Sequence, residues 1–206
     1  MAEAVAENLN NDVVSFSDTV KKALHLGGTL FMITAITGVI LGFVQWGTED
    51  AIKRTELAAK NEALRNVMPD AENFSPVELV ANDGTITEIQ AGSNNSGVVG
   101  HCISVSSKGY GGAVSFVVGI LKNGTVRAIN ILNHSETPGL GAKSTEPAFY
   151  GQFENKNNLP LEVVKGVATS DNQIVAISGA TITSNAITSG VNSAVEYWNK
   201  NLKGAI

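Results

Sequence analysis

Between Leu24 and Trp46 the chain runs for 23 residues without one Asp, Glu, Lys or Arg. At 1.5 Å rise per residue, the most apolar part, Leu26 to Val44, makes a helix about 28 Å long, which matches the hydrocarbon thickness of a bilayer. The pattern predicts one membrane crossing over residues 24–46. Lys21 and Lys22 flank one end, and Trp46 stands where an interfacial aromatic belongs. Gly38 and Gly42 share a GxxxG spacing. That spacing either admits a partner helix or reflects how common glycine is in membrane helices. A cleaved signal peptide is the competing reading. The run is too long for one, lacks a small-residue exit, and follows an acidic stretch with Glu3, Glu7, Asp12 and Asp18. The flanking charges favour the opposite orientation to an outside domain, since Lys53, Arg54, Lys60 and Arg65 follow the run.

The remainder of the 206 residues has room for one medium domain. With 14 Lys and Arg against 19 Asp and Glu, the net charge is −5, so no field draws the chain to nucleic acid. Cys102 is the lone cysteine, which excludes an intrachain disulfide and a CxxC pair. His25, His101 and His134 are too scattered to suggest a zinc site.

After the apolar run, Ile52, Leu57, Leu64, Val67 and Met68 recur among charged residues until Pro69, predicting an amphipathic helix over 48–68. From Val77 the pattern changes to short strand-like runs separated by turn residues. Val77–Val80 and Thr85–Gln90 flank Asn82-Asp83-Gly84 as a hairpin. Val98–Ser106 and Ala113–Leu121 flank Lys108-Gly109-Tyr110-Gly111-Gly112. Lys122-Asn123-Gly124 leads into Thr125–Leu132. Three glycines between 109 and 112 mean either a plain turn or a backbone that approaches something closely. Ala186, Ile187, Val191, Ala194, Val195 and Trp198 recur at helical spacing and predict a final helix with a buried stripe. The architecture so read is α+β on a membrane stalk.

Two segments can carry chemistry. Ser178-Gly179-Ala180-Thr181-Ile182-Thr183-Ser184 joins a strand-like run, Gln173–Ile177, to the final helix. Unpaired N–H groups and the macrodipole at a helix start favour an anion, and the small Gly179 and Ala180 let one come close. The hydroxyls of Ser178, Thr181, Thr183 and Ser184 can donate to a phosphate or be esterified by it; the alternative is that one of them only caps the helix. The second segment, His134-Ser135-Glu136-Thr137-Pro138-Gly139-Leu140-Gly141, is a loop framed by proline and glycine that can present side chains to a pocket. Neither segment completes a hydrolytic triad or a carboxylate pair.

These two segments together resemble the signature pair of the covalent FMN-binding domain family. With the amino-terminal anchor, Glu62-Ala63-Leu64-Arg65-Asn66-Val67-Met68-Pro69 and Gly109-Tyr110-Gly111-Gly112, the chain is similar to the G-subunit family of the Rnf ion-translocating ferredoxin:NAD oxidoreductase complexes. The C-subunit family of the sodium-translocating NADH:quinone reductase is also similar but usually longer.

The resemblance implies an α+β protein with a single N-terminal transmembrane helix, followed by an extracytoplasmic FMN-binding domain with antiparallel hairpins and flanking helices. It divides the chain into a cytoplasmic segment 1–23, a membrane helix 24–46, a juxtamembrane helix or linker 47–72 and the domain 73–206. It implies one covalent FMN per chain, joined through its phosphate to Thr181 by a separate flavin transferase. Ser178, Gly179, Ala180 and Thr183 would then shape the phosphate pocket, with Glu136, Thr137, Gly139 and Leu140 lining the rest. The expected partners are the other Rnf subunits in the membrane. The sequence departs from many relatives at Val175, where they carry an acidic residue; the nearest acid upstream is Asp171.

Overall fold

The computed structural model describes residues 2–80, 84–157 and 159–204, with side chains described from residue 21 onward. The chain forms two compact units, Met1–Thr55 and Glu56–Ile206. Helix α1, Ala2–Val67, runs through the first and into the second. Within it, the large apolar side chains from Leu24 to Trp46 are 53–77% exposed. A contiguous apolar surface of that size is unstable in water, and this helix is long and apolar enough to cross a membrane. Thr29, Thr34 and Thr37 return their hydroxyls to carbonyls one turn back, which satisfies them without water.

The second unit is a five-stranded antiparallel sheet in the order β1 to β5: Asn73–Val77, Ile86–Asn94, Gly97–Lys108, Ala113–Leu121 and Val126–His134. Each strand pairs with the next in sequence, and short turns join β2 to β3, β3 to β4 and β4 to β5. Strand β4 is apolar at every position except Ser115 because both its faces are covered. Val114, Phe116, Val118 and Ile120 face one core, while Val117 faces another. The first core receives α3, Thr181–Asn201, through Ile187, Val191, Ala194, Val195 and Trp198. Burying each of the larger of these contributes about 1.5–3 kcal/mol. The second core is built by Ala63, Leu64 and Val67 at the end of α1, with Met68 just beyond it and Ala71, Cys102 and Val117. Gly119 makes this approach possible, since a Cβ there would lie 2.5 Å from the Val67 carbonyl oxygen. Burial also pushes the Cys102 thiol up to about 12, so it packs as a small apolar group.

Several expectations are refined by these facts. The expected strand Val77–Val80 lies earlier, at Asn73–Val77. Pro76 is tolerated there because β1 is an edge strand and needs no second ladder partner. Val80 is held instead by the Tyr197 hydroxyl, which accepts from its N–H at 2.8 Å. The Asn82-Asp83 turn lies outside the described residues. Of the apolar positions expected on the amphipathic helix, Ile52 and Leu57 are exposed, and only the last turns pack on the sheet. Lys60, in those turns, pairs with Glu88. Burial alone would raise the Glu88 carboxyl, but Lys60 and the Gln90 amide outweigh it and hold the group below the usual carboxylate range.

Two very short strands, β6 (Glu162–Val164) and β7 (Gln173–Val175), pair in parallel as a separate small sheet. Side-chain amides extend their ladder. Gln152 accepts from the Val175 N–H at 2.7 Å and donates to its carbonyl at 3.2 Å, while Asn192 does the same for Leu161 at 2.8 and 2.9 Å. Val175, the point of departure from the family pattern, is thus part of the scaffold that leads into α3.

His101 on β3 is 4% exposed, and its Nδ1 accepts from Trp198 Nε1 at 3.2 Å. Burial lowers its pKa. Because the folded value lies below the unfolded one, the unfolded chain takes up the proton first as pH falls through about 6.5. Stability is therefore complete above that value and is lost below it, approaching about 1.4 kcal/mol per pH unit. Urea midpoints of the detergent-solubilised protein are expected to fall between about pH 7 and about pH 5, and His101→Gln should flatten that fall. An equal fall in both proteins would place its origin elsewhere.

Candidate functional site

Three loops meet at one end of the sheet. The β3–β4 turn supplies Tyr110, the segment after β5 supplies Glu136, Thr137, Leu140 and Gly141, and the start of α3 supplies Gly179 to Thr183. Together they line an open cleft of about 410 Å³, within the range of ligand pockets. Its rim is apolar: Tyr110 is 72% exposed, Ile182 56% and Leu140 43%.

Glu136 holds the three loops together. It is 6% exposed. Its Oε1 accepts from the backbone N–H groups of Tyr110 (2.8 Å) and Gly111 (3.2 Å), and its Oε2 accepts from the Thr183 hydroxyl at 2.8 Å. Its own N–H donates to His134 Nδ1 at 3.3 Å, which gives His134 a turn-forming role. The surrounding glycines make this possible. A Cβ at Gly109 would collide with Glu136 Oε1, and one at Gly141 would collide with Oε2 and lie 2.7 Å from Thr183 Oγ1. Of the two readings of the 109–112 loop, close approach is therefore the one realised.

The start of α3 differs from a capped helix. Its N-cap is Ala180, which offers no side-chain hydrogen bond. The neighbouring hydroxyls do not replace it. Ser184 Oγ accepts from the Ile177 N–H and donates to the Ala180 carbonyl, both at 3.0 Å, while Thr183 is committed to Glu136. Among the described residues, the N–H groups of Thr181, Ile182 and Thr183 have no acceptor, and the Thr181 hydroxyl has no hydrogen-bond partner. Three unpaired donors, the positive end of a 21-residue helix and one free hydroxyl thus line the same cleft. Gly179, at φ +77°, turns the chain into the helix in a conformation that other residues rarely adopt. The site fits a phosphate-bearing ligand with a flat apolar body: the helix end suits the anion and the rim suits the ring.

Of the expected site residues, the cleft brings together Glu136, Thr137, Leu140, Gly179, Ala180, Thr181 and Thr183. It leaves out Ser178, an exposed residue that lines two neighbouring depressions, and Gly139. Thr183 and Ser184, whose hydroxyls the sequence offers to an anion, are both buried and engaged within the protein. Three lining residues lie outside the expected contacts: Tyr110, Gly141 and Ile182. Ile182 carries a signal, since it is an apolar side chain outside the buried stripe of α3.

Comparison with known proteins agrees with this geometry. Residues 109–196 match the family described as FMN-binding domain, a range that contains every residue lining the cleft. The chain is 36% identical over 161 residues to the G subunit of the proton-translocating ferredoxin:NAD(+) oxidoreductase complex of Clostridium ljungdahlii, covering 78% of this chain and 83% of that one. It is 33% identical over 192 residues to the G subunit of the Na(+)-translocating ferredoxin:NAD(+) oxidoreductase complex of Acetobacterium woodii, covering 86% and 92%. The chain belongs to this G-subunit family. A third member, the G subunit of the ion-translocating oxidoreductase complex of Methanosarcina acetivorans, is 33% identical over 174 residues, covering 82% of this chain and 90% of that one. Among solved structures, the C subunit of the Na(+)-translocating NADH-quinone reductase from Parabacteroides distasonis shares the fold. It has a TM-score of 0.50 and 18% identity, over 63% of this chain and 77% of that one.

Proposed function

We propose that this G-subunit family member is the flavin-bearing electron carrier of a membrane-bound, ion-translocating ferredoxin:NAD oxidoreductase complex, with FMN joined by a phosphoester to Thr181 and the domain facing away from the cytoplasm. One observation supports the attachment point above all: the Thr181 hydroxyl is free, on an uncapped helix terminus, in the cleft of an FMN-binding domain. The complex is the one named for the relatives. The outward orientation follows the family resemblance, since large domains translocate largely regardless of flanking charge.

When bound, FMN supplies reversible electron transfer; this chain supplies position and electrostatics. The N–H groups of Thr181, Ile182 and Thr183 stabilise the phosphate charge, and Gly179 keeps the approach open. Tyr110, Leu140 and Ile182 shield a flat apolar group from water. Glu136 keeps the loops in register. No general base or nucleophile is required beyond the Thr181 hydroxyl, which is used once, when a flavin transferase attaches the cofactor. The exposed apolar helix suits assembly with other membrane subunits.

The protein isolated from its own membranes is expected to have an intact mass greater than its sequence by one FMN less one water. Peptide mapping should place the addition on Thr181. An unmodified mass would overturn the reading.

A further inference from the structure

The Glu136 side chain does more than tie loops together. Its two oxygens accept three hydrogen bonds and face no acceptor that would need a proton, an arrangement suited to the ionised carboxylate. Yet among the described residues no Lys, Arg or His forms an ion pair with it. Buried charges are normally paired, because leaving water is costly for an ion. Here a single negative charge stands in the wall of the cleft, compensated by two amide dipoles, one hydroxyl and the positive end of α3 rather than by a charged side chain. The backbones of Gly109 and Gly141 pack directly against its two oxygens, so a side chain at either position would displace the carboxylate.

We propose that the Glu136 carboxylate sets the reduction potential of the flavin, holding it low by opposing the negative charge that reduction adds. This rests on the reading that FMN occupies the cleft. Uptake of two electrons from a reductant and one proton from water leaves the ring with one more negative charge than its oxidised form. A fixed, largely buried anion in the wall of the same cleft raises the free energy of that reduced form relative to the oxidised one. Glu136 then acts as an electrostatic and positioning residue, apart from the attachment chemistry at Thr181.

The substitution Glu136→Gln separates charge from structure. Its amide oxygen can still accept from Tyr110 and Gly111, and its NH₂ can donate to Thr183 Oγ1, so the loops remain joined while the charge is lost. In a dithionite titration of the detergent-solubilised, flavin-loaded full chain, Glu136→Gln is expected to favour the reduced form at least tenfold. That is an upward shift of about 30 mV for a two-electron couple. Glu136→Asp, which keeps the carboxylate charge on a shorter side chain, should stay near the wild-type potential. Should Glu136→Gln not fold, the pair Glu136→Asp and Glu136→Asn poses the same comparison.

Equal potentials with and without the charge would overturn the proposal, and so would a Glu136→Asp shift as large as that of Glu136→Gln. Absence of flavin from every uncharged variant would also overturn it, since the carboxylate would then serve attachment. A wild-type protein without covalent flavin would instead refute the function proposed above, which keeps the two failures apart.

Discussion

Thr181→Ala is expected to yield a folded protein with no covalent flavin. The hydroxyl removed is the proposed acceptor for the phosphoester, and no other hydroxyl between Ser178 and Ser184 both lines the cleft and is free. Thr183 and Ser184 are buried, with their hydroxyls held by Glu136 and by the Ala180 carbonyl. Ser178 is exposed and does not line the cleft, although it shares a neighbouring depression with Thr181. The structural loss is small because Thr181 is half-buried, makes no side-chain hydrogen bond and is not the helix cap, so stability should stay within about 0.5 kcal/mol of wild type. The measurement is flavin fluorescence that survives denaturing electrophoresis, after coexpression with a flavin transferase. Wild type and Ser178→Ala should fluoresce equally and Thr181→Ala not at all. Equal fluorescence in Thr181→Ala would remove this residue as the attachment point.

Much of this arrangement can be read from local sequence, for reasons that also explain what cannot. The apolar run at 24–46 stands out because lipid demands roughly 20 consecutive apolar residues and few other structures do. Strands β3 to β5 are legible from the short turns between them, and α3 from its stripe. Strands β6 and β7 are three residues each, too short for any period to register, and amides from Gln152 and Asn192 complete their pairing from far along the chain. At the cleft, residue type misleads about role. Ser and Thr near a helix start suggest capping, yet Ala180 takes the N-cap position while Thr183 and Ser184 turn inward. Glu136 gains its meaning from partners 25, 26 and 47 positions away, a convergence that only the folded chain displays.

The largest loss of stability from a single truncation is expected for Trp198→Ala. Trp198 is fully buried in the core beneath α3, and a Cβ at Gly124 would lie 3.3 Å from its ring. Its Nε1–H is also the donor to His101 Nδ1. Truncation empties a large volume between helix and sheet and leaves the imidazole without that donor. The expected cost is about 3–5 kcal/mol, a large share of the net stability of a domain this size. Trp198→Phe keeps most of the packing and loses the hydrogen bond, so it should cost less, about 1–3 kcal/mol. Urea unfolding of the detergent-solubilised chain checks both values. The two variants should also differ in pH response. In Trp198→Phe the imidazole stays buried and stability still falls below about pH 6.5, whereas in Trp198→Ala water can reach His101 and the dependence should flatten. A Trp198→Ala protein within about 1 kcal/mol of wild type would mean that α3, and with it the start of the helix at Thr181, is anchored by other contacts.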